Sequence, residues 1–202
     1  MLNNTNMFYA TILTAMLAIT IFAGTAFAQK NDKPTLQTVP SVDLARYVGK
    51  WYEIAKYPNR FQKQCVANTT ANYTMKPNGR IEVQNQCLLK NGTTENAVGE
   101  AKIADKKTNA KLKVRFAPGA LSFLPFVWGD YWIIDLDADY KYVAIGEPKR
   151  NYFWILSRTP TLDAATYQNI LRRAETMGFD PAKVEKSPQN AEIVKGDVLI
   201  KQ

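Results

Sequence analysis

The chain contains no histidine. That absence removes Ser-His-Asp and Cys-His nucleophilic centres. It also removes the zinc and non-haem iron sites that depend on imidazole. Asp, Glu, Lys, Tyr and Cys remain as acting groups, so catalysis stays open, but a hydrolase or metalloenzyme would lack its usual parts. Cysteine is scarce too: Cys65 and Cys87 are the only two. Nor is there a block of like charge. The net charge is +8, yet Lys30, Lys33, Lys90, Lys106, Lys107, Lys111, Lys113 and Arg115 are spread along strands and loops. A nucleic-acid surface would gather such residues on one face with aromatics between them, so no nucleic-acid partner is expected. Weak attraction to an anionic lipid surface fits the charge better, at roughly 1 kcal/mol per basic residue close to a bilayer.

The first 29 residues carry no charged side chain. An apolar run from Met7 to Ala23 leads into Gly24-Thr25-Ala26-Phe27-Ala28-Gln29. Ala26-Phe27-Ala28 has the form of a signal-peptidase site, so residues 1–28 are expected to be a cleaved secretory signal. The alternative is an uncleaved anchor, which the length just allows. No cysteine precedes Cys65, so no lipid anchor is expected, and the mature chain is expected to be soluble and periplasmic or secreted. Residues 29–41, with Pro34 and Pro40, read as a flexible arm, and residues 188–202 as a loose tail.

Between these ends the pattern is that of strands. Lys50–Tyr57, Cys65–Met75, Arg80–Leu89, Thr94–Ala104, a run holding Leu112, Val114 and Phe116, Asp130–Asp137, Tyr142–Gly146 and Tyr152–Arg158 are separated by turn signals such as Pro77-Asn78-Gly79 and Asn91-Gly92. Leu112 and Val114 alternate with Lys111, Lys113 and Arg115, which gives one dry and one wet face. The sixth and eighth strands are apolar on both faces, so their outer side needs a cover. A helix from Asp163 to Met177 supplies it: Ala164, Tyr167, Ile170, Leu171 and Ala174 form one stripe, Thr161 or Asp163 can cap the start, and Gly178 stops it. Val42–Tyr47 suits one further helical turn.

Three motifs carry a resemblance: Gly49-Lys50-Trp51-Tyr52 at the head of the first strand, Asp137-Ala138-Asp139-Tyr140 between the sixth and seventh, and Arg158 at the end of the eighth. With this setting the chain resembles the lipocalin family, in particular its bacterial and apolipoprotein D-like branch, over about Val42 to Ser187. The fold so implied is all-β: an eight-stranded antiparallel up-and-down β-barrel with one C-terminal α-helix packed on its outside, at residues 42–187. The resemblance implies that Trp51 plugs a closed end with Arg158 across its indole, and that Gly49, Asp139 and Tyr140 shape that end. It implies that the open end carries function.

Side-chain alternation then nominates a pocket. If Trp51 points inward, so do Glu53, Ala55 and Tyr57. An odd-length turn after Met75 puts Tyr73 and Val83 on one interior face, with Val114 and Phe116 joining them. At 131–132 both faces are apolar, and Trp132 is taken as the inward residue. Glu53 either reaches a backbone donor, is turned out by local twist, or orients a ligand headgroup as a buried carboxyl. The small residues Ala97, Gly99, Ala101 and Ile103 mark either a tight corner or room for a guest. Residues 120–128 are apolar for a connection: they form a lid over the mouth, a docking surface or more core, with Phe61, Leu121, Phe123, Leu124 and Phe126 at the rim. Cys65 and Cys87 share a face, and a disulfide is expected although simple register leaves them four positions apart; two free thiols are the alternative.

The function expected is non-enzymatic: binding and transport or storage of one small hydrophobic ligand, with no cofactor and no metal. Fatty acid or lysophospholipid follows from the resemblance to the bacterial branch, as does a role in envelope maintenance under stress. The competing readings are a lipid- or isoprenoid-modifying enzyme that uses Cys87 or Glu53, and a protein that docks on a membrane or partner through residues 120–128. A monomer or weak dimer is expected.

Overall fold

A computed structural model describes residues 35–194 and 197–200. The expected signal peptide and the first part of the expected arm lie outside these residues. The elements are α1 (Leu44–Tyr47), β1 (Gly49–Lys56), β2 (Cys65–Met75), β3 (Ile81–Leu89), β4 (Thr94–Ile103), β5 (Lys111–Arg115), β6 (Gly129–Leu136), β7 (Tyr142–Gly146), β8 (Phe153–Ser157), α2 (Ala164–Thr176), β9 (Glu185–Lys186), β10 (Ala191–Val194) and β11 (Asp197–Ile200). Each of β1 to β7 pairs antiparallel with the next, and β1 pairs with β8 as well as β2. The sheet therefore closes into the expected barrel, and its walls leave no free edge.

Two bulges decide which residues face inward. In β1 the register against β8 shifts between Glu53, opposite Leu156, and Ala55, opposite Ile155. Leu156 belongs to the inner core and Ile155 to the outer one. An extra residue reverses the alternation beyond it. Ala55 and Tyr57, expected inside, therefore face outward beneath α2. The Tyr57 hydroxyl accepts from the Asp180 N–H (2.5 Å) and donates to the Asp180 carbonyl (2.9 Å). The second bulge lies in β6 between Ile133 and Asp135: Ile133 packs inside, Ile134 and Asp135 both lie on the outer side, and Leu136 returns to the inner core. Trp132 also corrects the expectation. It pairs with Lys111 on the outer wall, and the Lys111 ammonium sits 4.3 Å from the ring centroid. Tyr131, opposite Leu112, takes the interior place.

The outer core is the seam between barrel and helix. Ala55, Tyr57, Ile134, Ala144, Phe153 and Ile155 meet Tyr167, Ile170 and Ala174 of α2. Asp163 caps α2 by accepting from the Thr166 N–H at 2.9 Å. Arg173 ties the helix to the wall through Asp135 (2.5 Å) and the Tyr142 hydroxyl (3.0 Å).

The described parts of the expected arm and tail are docked rather than free. Leu36 is buried in the outer core, and the Val39 N–H donates to the Ile133 carbonyl at 3.0 Å. β1 and β2 pair only from Gly49/Tyr73 to Tyr52/Thr70. Beyond that point the C-terminal segment fills the gap. β9 pairs with β1, Ser187 N–H donates to the Ile54 carbonyl, and Gln189 Nε2 donates to the carbonyls of Glu53 and Thr69. Asn68 completes the join, because its side chain bonds both the N–H (2.9 Å) and the carbonyl (2.6 Å) of Ala191. β10 and β11 form a hairpin after it.

Candidate ligand cavity

The closed end is built on the Gly-x-Trp motif. Gly49 has φ +94°, which a side chain would strain, and an added Cβ would lie 3.4 Å from the Arg158 guanidinium. That backbone turns Trp51 into the barrel, where it is fully buried and donates from Nε1 to the Tyr47 carbonyl at 2.8 Å. The Arg158 guanidinium lies 3.8 Å from the centroid of the indole. It donates to four carbonyls, those of Arg46, Tyr47, Val48 and Lys50, at 2.6–3.1 Å. The turn after β6 seals the same end. Tyr140, at φ +61°, accepts the Asp43 N–H at 2.7 Å and carries the Arg46 guanidinium 4.2 Å from its ring. Asp139 is exposed there and pairs with Lys141 at 3.1 Å.

Above the plug lies a chamber walled by Tyr47, Tyr73, Val83, Leu112, Val114 and Tyr131. The three tyrosine hydroxyls form a chain, Tyr47 to Tyr131 at 2.6 Å and Tyr131 to Tyr73 at 2.9 Å. Burial pushes all three phenols upward, Tyr73 to about 12. They are neutral at any physiological pH. The chamber is nearly full: about 10 Å³ is open, room for roughly one water.

Higher in the barrel the wall turns polar. Glu53 is 3% exposed and its two carboxylate oxygens accept from Ser187 Oγ (2.5 Å) and Gln62 Nε2 (2.7 Å). Burial raises its pKa, and the bonds from Gln62 and Ser187 and the charge of Lys56 only partly oppose this. Gln62 in turn accepts from Trp154 Nε1 at 3.0 Å and from Asn59 at 2.8 Å. Glu53 is thus held inside by two side-chain donors rather than by the backbone donor or outward turn that the sequence left open. A polar pocket of about 150 Å³ lies beside it at the seam with the C-terminal segment, between Lys56, Cys65, Thr69 and Ser187. Asn85 faces inward across from Ala71 and Ala97, and its Oδ1 is buried without a partner.

The mouth is aromatic. Trp154 stacks on Tyr152 (5.9 Å, 11°), and Phe61 lies 5.5 Å beyond. The chain leaves β5 over Gly99, where an added Cβ would sit 2.5 Å from the Arg115 carbonyl and 2.7 Å from the Phe116 ring. Gly99 is thus a tight corner, whereas Ala97 faces open space. Phe116 remains 45% exposed. Residues 117–128 do not close the mouth: Phe123 is 77% and Phe126 80% exposed, and Leu121 and Leu124 are only partly covered. Trp128 instead anchors this loop on the outer wall, with Lys102 4.2 Å and Arg115 5.1 Å from its ring. Cys65 and Cys87 form a disulfide with Cα atoms 5.5 Å apart. The five-residue connection after Met75 keeps the expected parity, and register shifts on either side of Ala67 bring the pair together.

Of the eight pocket residues nominated from sequence, Glu53, Tyr73, Val83 and Val114 line the interior and Phe116 lies at its mouth. Ala55, Tyr57 and Trp132 do not. Sequence reasoning passed over Tyr131, Trp154, Asn85 and Gln62. Trp154 was within reach, since counting back in twos from Arg158 gives Leu156 and Trp154 inside. Asn85 was reachable too, between inward Val83 and Cys87. Gln62 sits on a loop with no periodic signal.

A lipocalin-like domain model matches residues 42–189. The chain belongs to the lipocalin family. Among lipocalins it is 42% identical to temperature-induced lipocalin-1 of Arabidopsis thaliana over 79% of this chain and 86% of that one. It is 37% identical to the outer membrane lipoprotein Blc of Escherichia coli over 72% of this chain and 78% of that one. Among solved lipocalin folds, insecticyanin from the tobacco hornworm Manduca sexta superposes with a TM-score of 0.59 at 26% identity, covering 76% of this chain and 84% of that one. Lipocalins bind small hydrophobic ligands, and they are generally binding and transport proteins rather than enzymes.

Proposed function

We propose that this lipocalin carries or stores one single-chain lipid, such as a fatty acid or a lysophospholipid, outside the cytoplasm, as a monomer or weak dimer without catalytic activity. The observation that carries this is the polarity of the barrel: a base sealed by Trp51 and Arg158, an apolar lining, and one open end ringed by Phe61, Phe116 and Tyr152. Burial of an alkyl chain supplies the drive, about 25 cal/mol per Å² less the cost of ordering. The disulfide removes the free Cys87 thiol that an enzyme reading needs, and both oxygens of Glu53 are engaged. The uncharged first 29 residues support export, and the likeness to an outer membrane lipoprotein supports a role at the envelope. Native mass spectrometry of the mature chain tests the reading: one co-purifying or added lipid per chain is expected, and a chain that stays empty with every lipid offered would overturn it. A second reading, peripheral contact with a membrane, is favoured by Phe123 and Phe126, which project into solvent beside the mouth.

A further inference from the structure

In an up-and-down barrel the connections that follow odd-numbered strands emerge at one end, and those that follow even-numbered strands at the other. The mouth is therefore built from residues 57–64, 90–93, 116–128 and 147–152. The closed end has residues 76–80, 104–110 and 137–141. The two sets differ in unpaired charge and in exposed apolar surface, and both differences favour the mouth.

The mouth connections hold five basic residues, Arg60, Lys63, Lys90, Lys149 and Arg150, and one acid, Glu147. Glu147 is buried, and its carboxylate accepts from the N–H groups of Lys149 (2.7 Å) and Asn151 (2.5 Å). Acids on the flanking strands are engaged too: Glu95 accepts from Gln64, and Glu185 pairs with Lys56 at 3.6 Å. Arg60, Lys63, Lys90 and Lys149 are exposed and have no carboxylate partner among the described residues. At the closed end the connections hold five bases and three acids. Lys76, Arg80 and Lys141 pair there with Glu82, Glu100 and Asp139, which leaves Lys106 and Lys107.

The apolar difference is larger. Phe61, Phe116, Leu121, Phe123 and Phe126 are all exposed in the mouth connections, whereas the closed end shows only Met75, the last residue of β2. The rings and the cations share one rim. The Arg60 guanidinium lies 5.0 Å from the Phe61 ring, Phe61 meets Tyr152 of the next connection, and Gln64 reaches Glu95 beside Lys90.

Exposed rings among unpaired cations match the layering of an anionic bilayer. Aromatic side chains settle at headgroup level, and Lys and Arg keep their charges at the phosphates while their stems cover apolar surface. Anionic headgroups attract each basic residue close to them roughly fivefold in affinity. We infer that the barrel docks mouth-on against an anionic lipid bilayer, with Phe61, Phe123 and Phe126 at the interface and Arg60, Lys63, Lys90 and Lys149 over the headgroup phosphates, so that the cavity opens directly onto the membrane. This rests on the membrane-contact reading above and goes beyond it by assigning the charge of the surface and the end of the barrel that meets it.

The test is flotation of the mature chain with vesicles of phosphatidylcholine, alone or mixed equally with phosphatidylglycerol. Two variants shift the net charge by the same amount at opposite ends: Lys63→Glu/Lys90→Glu at the mouth and Lys106→Glu/Lys107→Glu at the closed end. All four lysines are exposed, so both variants are expected to fold, and unchanged melting checks this. The unmodified chain should prefer the phosphatidylglycerol vesicles, and added salt should weaken that preference. The mouth variant should lose at least about twentyfold in partitioning, since two attractions become repulsions. The closed-end variant should lose no more than about threefold, because its charges lie beyond the Debye length from the docked surface. Equal binding to both kinds of vesicle, a mouth variant that binds like the unmodified chain, or equal losses in the two variants would each overturn the inference while leaving the membrane-contact reading in place. Binding to neither kind of vesicle would overturn both and leave the carrier reading untouched.

Discussion

The two ends of the barrel are made of similar residues and behave in opposite ways. At the closed end, Trp51 and Arg158 spend nearly all their bonding capacity on each other and on the backbone. At the open end aromatic side chains are just as plentiful, but Phe61, Phe116, Phe123 and Phe126 remain between 45% and 80% exposed. The difference teaches where stability and function are separated. An end that has satisfied its donors and buried its rings has nothing left to offer a ligand. An end with exposed rings and an unpaired Asn85 acceptor does.

If that contrast is right, damage at the closed end should show in stability and damage at the mouth should not. Trp51→Ala removes the largest fully buried side chain and strands the Arg158 guanidinium. A loss of about 3–5 kcal/mol is expected in urea unfolding, and a loss under about 1 kcal/mol would mean that the plug is not the keystone of that end.

Glu53 lies between the two regimes, and a smaller, pH-dependent effect is expected there. Burial holds its folded pKa above the unfolded value. The stability it contributes is therefore full below the unfolded pKa and is lost as pH rises through the folded one. Glu53→Gln has no such loss. The melting temperature of the unmodified chain, less that of Glu53→Gln, should fall as pH rises from about 4 to 8. The groups that face this carboxyl (Gln62, Ser187 and Lys56) are common to both proteins. A flat difference would show that the carboxyl titrates alike folded and unfolded.

The smallest stability effect belongs to the rim. Phe123→Ser/Phe126→Ser should change unfolding free energy by no more than about 0.5 kcal/mol, since both rings are mostly in water. Flotation with vesicles containing phosphatidylglycerol would show whether these rings dock. Loss of binding in the variant, with stability unchanged, is the result the membrane reading requires, and equal flotation would dismiss it.

The elements were legible because their signals are local and periodic. Alternation drew the eight strands, the stripe ending at Ala174 drew α2, and Gly49-Lys50-Trp51 with Arg158 marked the closed end. The interior was half legible. Tyr73, Val83 and Val114 follow from counting in twos, but counting fails silently at a bulge, and one at Ile54 turned Ala55 and Tyr57 outward. Trp132 failed for a different reason: with both faces apolar, only the pairing of Leu112 with Tyr131 chooses between neighbours.

The sequence by itself determined the class of fold, the sealed end and the scarcity of catalytic groups, because these depend on residue type and short spacing. Only the tertiary structure decided that Gln62 bridges Glu53 to Trp154 and that Asn68 docks Ala191 across the seam. It also decided that Lys56, opposite inward Trp154, lies beside Glu53 in one pocket. Those facts join residues up to 123 positions apart. No local pattern encodes such a meeting; it arises when a closed sheet fixes every strand against two neighbours at once.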